Sequence, residues 1–141
     1  MASVLRCSHL NRALCFKEDM DIGLRSELAF SIGEKQSPTM QSVDIWLGSV
    51  LITYFDNTAY LPAFVNALRR ELANIEKGEV ANGYTFFNLG PTTDDAVARA
   101  EIIEDKIEGS CVLNNGNVVK VILFVENTIS TYKECIRVLS T

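Results

Sequence analysis

The stretch Ser42–Tyr54, SVDIWLGSVLITY, decides the fold. Val43, Ile45 and Leu47 alternate with Asp44 and Trp46, the period of a strand buried on one side. Gly48-Ser49 follows as a two-residue turn with glycine first, a type II′ pattern. Val50, Ile52 and Tyr54 then resume the alternation, so the segment predicts a β-hairpin. Trp46 shares the parity of Asp44 and faces away from the Val43–Leu47 side. Two outcomes stay open for it. Exposed, it would suit a partner contact, because tryptophan is enriched at binding hot spots. Otherwise a second layer covers it.

Downstream, Ala59–Lys77 predicts a helix. Leu61, Phe64, Val65, Leu68, Leu72 and Ile75 form one apolar stripe, and Arg69, Arg70, Glu71, Asn74 and Glu76 cover the other face. Asp56, Asn57 and Thr58 are N-cap candidates. Pro62 falls in the first turn, where its missing N–H costs little. Lys77-Gly78 is a C-terminal stop. Upstream, Leu24, Ser26, Leu28, Phe30 and Ile32 share a parity. They predict one strand over Ile22–Ile32, and Gly33–Thr39 reads as a loop.

In the C-terminal half, Tyr84–Leu89 predicts a short aromatic strand closed by Gly90-Pro91. Residues 94–108, DDAVARAEIIEDKIE, fit two patterns. A helix capped by Thr93 aligns Ala96, Ala100, Ile103 and Ile107; a strand alternates Ala98, Ala100 and Ile102. Propensity leans to the helix, and tertiary context can override propensity. Asn114-Asn115-Gly116-Asn117 joins Gly109–Leu113 to Val118–Val125 as a hairpin turn. The near-continuous apolar run VVKVILFV predicts a central strand. Glu126–Leu139 closes as a helix capped by Asn127 or Thr128, with Ile129, Tyr132, Ile136 and Leu139 as its stripe. Hairpins with helices inserted and appended define the α+β class. The expected architecture is a largely antiparallel sheet of hairpins with two or three helices packed on one face.

The 141 residues suit one domain. We take 20–141 as a single α+β domain and 1–19 as an N-terminal appendage. The appendage has no acid before Glu18 and carries Arg6, Arg12 and Lys17, faintly like a transit peptide, and Met20 is an alternative start. No apolar run approaches the ~20 residues that span a bilayer, so no membrane partner is expected. The apolar fraction of 48% and charged fraction of 22% argue against intrinsic disorder.

A net charge of −5 disfavours direct nucleic-acid binding, since an acidic chain repels phosphate. Cys7, Cys15, Cys111 and Cys135 form no C-x-x-C pair, and His9 has no ligand cluster, so no metal and no cofactor are expected. Free thiols, with Cys111 and Cys135 buried, imply a reducing compartment. No nucleophile elbow, P-loop, H-E-x-x-H or dinucleotide fingerprint occurs, so no catalytic residue is assigned and the chain is not expected to be an enzyme. The alternative is a small enzyme or ligand-binding domain whose site forms only in three dimensions. A deep pocket with convergent polar groups would mark it.

One segment is unusual in charge. Asp94, Asp95, Glu101, Glu104, Asp105 and Glu108 stand against Arg99 and Lys106, so 94–108 carries −4 of the total −5. This is either an ordinary solvated face or a docking patch for a basic protein, which it would draw in by electrostatic steering.

Two stretches carry a family resemblance: VDIWLGSVLITYFDNTAYLPAFVNALRREL (Val43–Leu72) and FFNLGPTTDDA (Phe86–Ala96). With the size and acidity, they resemble immunity proteins of bacterial contact-dependent growth inhibition and related polymorphic-toxin systems. The resemblance covers roughly residues 40–125; residues 1–19 depart from the compact start usual in that group. It implies a small cytoplasmic protein that binds and blocks one cognate toxin, often a nuclease. A nuclease must hold phosphates, so its cleft is positive. The acidic segment, with Trp46 as an aromatic anchor, would then contact that basic cleft.

Overall fold

A computed structural model of the chain describes residues 20–53, 57–78, 84–86 and 96–141. Two antiparallel sheets and two helices account for most of them. The first sheet holds β1 (Met20–Gly23), β2 (Leu28–Ser37), β3 (Met40–Leu47) and β4 (Val50–Leu51) in that order, and β5 (Thr58–Tyr60) pairs with β3. The second runs in order through β6 (Tyr84–Phe86), β7 (Ala96–Ile103), β8 (Lys106–Leu113) and β9 (Val118–Phe124). Helix α1 spans Leu61–Lys77 and α2 spans Val125–Leu139. The α+β class with antiparallel hairpins and helices on one face is the one the sequence predicts.

The hairpin at Ser42–Tyr54 forms, with Leu47 opposite Val50, though Tyr54 lies outside the described residues. Its turn differs from the type II′ expectation. Gly48 and Ser49 both have positive φ, 57° and 69°, the signature of type I′, whose twist matches that of paired strands. Upstream, Ile22–Ile32 is not one strand: a turn after Gly23 splits it, and Leu24 and Ser26 are exposed. The predicted Gly33–Thr39 loop is largely strand as well. β2 continues to Ser37 because Lys35 and Ser37 pair with Gln41 and Met40, across register shifts that mark a bulged hairpin end.

The inward sides of β2 and β3 supply Leu28, Phe30, Ile32, Val43, Ile45 and Leu47, all buried. Both helices cover this side. Phe30 is the junction, meeting Phe64 of α1 edge-on at 6.4 Å and Tyr132 of α2 at 5.8 Å. The same buried cluster continues into Ala98, Ala100, Ile107, Cys111 and Leu123 of the second sheet. The sheets also meet where the Gly48 turn packs on β9: a Cβ at Gly48 would stand 3.4 Å from Val119 Cγ1.

The helix ends depart from expectation. Ala59 belongs to β5, and Tyr60 rather than Asp56, Asn57 or Thr58 occupies the N-cap of α1, without a side-chain capping bond; Asp56 itself lies outside the described residues. Pro62 stands in the first turn, and Gly78 closes the helix in the left-handed conformation, as expected. Glu71 is the exception on the helix surface. It is buried, and its Oε1 accepts a 2.6 Å hydrogen bond from the Tyr132 hydroxyl, which ties α1 to α2. At α2, Phe124 takes the N-cap position instead of Asn127 or Thr128. The Thr128 hydroxyl donates back to the Phe124 carbonyl at 2.9 Å and is buried.

Cys111 and Cys135 are free and buried, as expected, while Cys7 and Cys15 lie outside the described residues. Burial pushes the Cys111 thiol up to about 11 and drives Cys135 higher still, with the nearby Glu134 carboxylate adding to the shift. In the native protein at mild alkaline pH both therefore stay protonated and unlabelled by iodoacetamide for hours, and both react within minutes in guanidinium. Rapid native labelling of either, read by mass spectrometry, would show that the core opens there.

Gly23 carries the tightest backbone requirement. Its φ is +88°, and a Cβ there would lie 2.3 Å from the Leu28 carbonyl oxygen and 2.9 Å from Thr131 Cγ2. Gly23→Ala combines a left-handed backbone penalty with a clash against main chain, together about 2–4 kcal/mol. Gly78, with φ +70° and open space around it, supplies the contrast: Gly78→Ala costs only the backbone part, about 1 kcal/mol. Urea denaturation of the two variants measures the difference directly, and equal losses would contradict the packing at Gly23.

Candidate functional site

Residues 96–108 of the acidic segment are two strands and the turn between them. β7 and β8 form a hairpin whose turn is Glu104-Asp105, so the helical alternative for 94–108 is overturned. The pairing explains the outcome. Ala98, Ala100 and Ile107 fill the core from the inward side, and eight consecutive residues of β7 pair with β8, more than local helix propensity offsets. Glu104 adopts φ +59°, a left-handed turn conformation. The turn abuts the start of α2: the Val125 amide donates to the Asp105 carbonyl at 2.8 Å. Acidic residues are favoured near a helix N-terminus, so this turn also has a structural reason to be acidic.

The hairpin brings Glu101, Glu104, Asp105 and Glu108 to one end of the second sheet. Glu101 and Glu108 are direct cross-strand partners on the outward side. Asp94 and Asp95 lie outside the described residues. Trp46 belongs to the first sheet and is half-buried there, not a free aromatic. Its Nε1 donates to Ser31 Oγ at 3.1 Å, and the Arg25 guanidinium stacks 4.3 Å above its ring. Arg25 and the Ser31 hydroxyl both donate to Asp21. Partial burial pushes the Asp21 carboxyl up, yet the Arg25 and Ser31 hydrogen bonds outweigh it and hold it below its ordinary value. The stability this gives is present above the unfolded carboxylate pKa and fades as pH falls through the depressed folded value.

A feature missed in the sequence is apolar. The run VVKVILFV does not form a central strand: β9 pairs with β8 alone among the described residues. Its inward residues are Val119, Val121 and Leu123, while Val118, Ile122 and Phe124 point outward and are exposed. Val97, Ile103 and Val112 join them. Six of the nine exposed large hydrophobic residues among those described thus stand on the outward side of β7, β8 and β9. Scattered exposed apolar residues need no explanation, but six on one sheet face, here in two groups with a polar row between them, mark a candidate interaction surface. Register orders the face into rows: Val97-Val112-Val118, Arg99-Ser110-Lys120, Glu101-Glu108-Ile122 and Ile103-Lys106-Phe124. The Lys106 ammonium sits 5.8 Å over the Phe124 ring. The continuous apolarity of 118–125 was the available signal, since a strand buried on one side alone needs only alternation.

Among the described residues the hollows are open ones, and the larger, about 660 Å³, lies along α2 between Glu76, Lys133 and Arg137. An open hollow of about 280 Å³ lies between the Gly23–Leu28 turn and α2, edged by Glu27, Asn127 and Thr131. Every buried side-chain polar atom among the described residues has a hydrogen-bond partner, which leaves none aimed unpaired into it. Among the same residues no group of three or more His, Cys, Asp or Glu is arranged to hold a metal ion. No described helix is long and apolar enough to cross a membrane.

Two antiparallel sheets with a helix pair on one side and an exposed, mixed face on the second sheet define a small α+β protein whose chief surface feature is that face. No protein-family model and no curated protein matches the chain. A solved structure does share the fold. The crystal structure of CdiI from Burkholderia dolosa superposes with a TM-score of 0.61 at 12% identity, over 84% of this chain and 99% of that one. The chain thus has the fold of CdiI, a contact-dependent growth inhibition immunity protein, the group it resembles in sequence.

Proposed function

We propose that this chain is an immunity protein that binds a cognate toxin domain and blocks it. The observation that carries the proposal is the shared fold, which takes in nearly the whole length of CdiI. The stretches that carry the sequence resemblance, Val43–Leu72 and Phe86–Ala96, take in most of β3 and α1, all of β4 and β5, and one residue each of β6 and β7, with 54–56 and 87–95 outside the described residues. An immunity protein acts by occupying a surface and needs no catalytic residue of its own; the described hollows, beside Gly23 and along α2, are open rather than deep, which favours this reading over an enzyme or ligand-binding domain. We assign the contact to the acidic end of the β7–β8 hairpin, with Glu101, Glu104, Asp105 and Glu108 facing a basic cleft, as a nuclease would present.

If the gene beside this chain's own encodes a large adhesin-like protein, the test is co-expression with that protein's C-terminal domain. Cells carrying both should grow, and cells carrying the toxin domain alone should not. Equal killing with and without this chain would remove the immunity function.

A further inference from the structure

We propose that the outward face of β7, β8 and β9 is the surface the toxin domain covers, and that its anchors are Ile122 and Phe124 rather than Trp46. The proposal rests on the immunity function and specifies the chemistry of the contact: an apolar centre on the toxin, with a basic side chain placed to reach Glu101 and Glu108.

Three observations lead there. Ile122 is 59% exposed and Phe124 46%, in adjacent rows of one strand, so a large apolar surface faces water, with only the Lys106 ammonium over the Phe124 ring as a described contact on that side. Glu101 and Glu108 stand directly opposite each other in the row that ends at Ile122. Like charges so placed repel, and among the described residues neither has a salt-bridge partner. A cation from outside would relieve that repulsion, and the apolar neighbours would exclude water around the new ion pair, the arrangement found at hot spots. Trp46, by contrast, already spends its N–H on Ser31 and its ring face on Arg25. Lys120, in the neighbouring row, puts a cation beside these carboxylates, so the face carries both signs of charge. The face selects a partner with an ordered pattern of charge.

The experiment uses the whole chain and the same candidate toxin domain, purified. Ile122→Ser should weaken binding at least tenfold while the free protein melts within a few degrees of the wild type. Val118→Ser, in the far row, should weaken it less and guards against a local folding defect. Glu108→Gln should weaken binding several-fold and raise the melting temperature of the free protein by about 1–3 °C, because it removes one of the opposed charges. A merely structural glutamate would not give stability and lose binding in the same variant. If the wild type binds and Ile122→Ser binds equally well, this face is wrong and the immunity function stands. If the wild type neither binds nor protects, the immunity function falls and the face with it. If the free wild type sediments as a dimer that Ile122→Ser converts to a monomer, a second copy covers the face and the toxin assignment is overturned.

Discussion

Reversing Glu101, Glu104 and Asp105 to lysine is expected to slow association with the toxin domain about ten- to a hundredfold at low salt. The substitution changes the chain's charge by six, from −5 to +1. Steering acts before contact, so the loss should appear in the association rate and shrink as salt screens it. Dissociation should change less, because Ile122 and Phe124 are untouched. The fold should survive. Glu104 and Asp105 are exposed and Glu101 half-exposed, and such changes usually cost within about 0.5 kcal/mol. The bond from the Val125 amide to the Asp105 carbonyl is main chain and does not depend on the side chain. Stopped-flow association at two salt concentrations, with melting curves of the free variants, separates the effects. An association rate equal to the wild type at low salt would take the acidic hairpin out of the recognition surface.

Phe30→Ala should be the most damaging single change to stability, at about 3–5 kcal/mol. A domain of this kind has only about 5–15 kcal/mol in total, so the variant would sit near the edge of folding. The size follows from position. Phe30 is fully buried and its ring is the point where β2, α1 and α2 meet, edge-on to both Phe64 and Tyr132. Two facing rings hold the walls of the void apart, and the Tyr132–Glu71 hydrogen bond restrains one of them from collapsing inward. The urea midpoint would report it. A loss under about 1 kcal/mol would mean that the helices repack over the gap.

What could be read before the structure was known depended on whether a local pattern had one solution. Gly48-Ser49 and the Asn114–Asn117 turn were legible because few conformations suit short glycine-bearing turns between strands. The apolar stripe of α1 was legible because its spacing fits only a helix. Residues 96–103 were not, since Ala98 and Ala100 align with either period and the pairing with β8 lies in sequence beyond them. Glu71 read as a surface residue because its partner, Tyr132, is 61 positions away. The acidic residues were visible as composition, but their convergence at one hairpin end was not. Nor was the outward set of Val118, Ile122 and Phe124, because an apolar run does not say which of its members the fold leaves uncovered.

The bond between Val125 and Asp105 gives the acidic turn a further property. It fastens the tip of the β7–β8 hairpin to the first residue of α2, and α2 is in turn anchored in the core by Tyr132 and Cys135. A loop free in solution surrenders conformational entropy when a partner immobilises it; a tip already fixed by main chain and helix has little left to surrender. Recognition at this end would therefore be rigid-body docking, with the complementary shape present before the encounter.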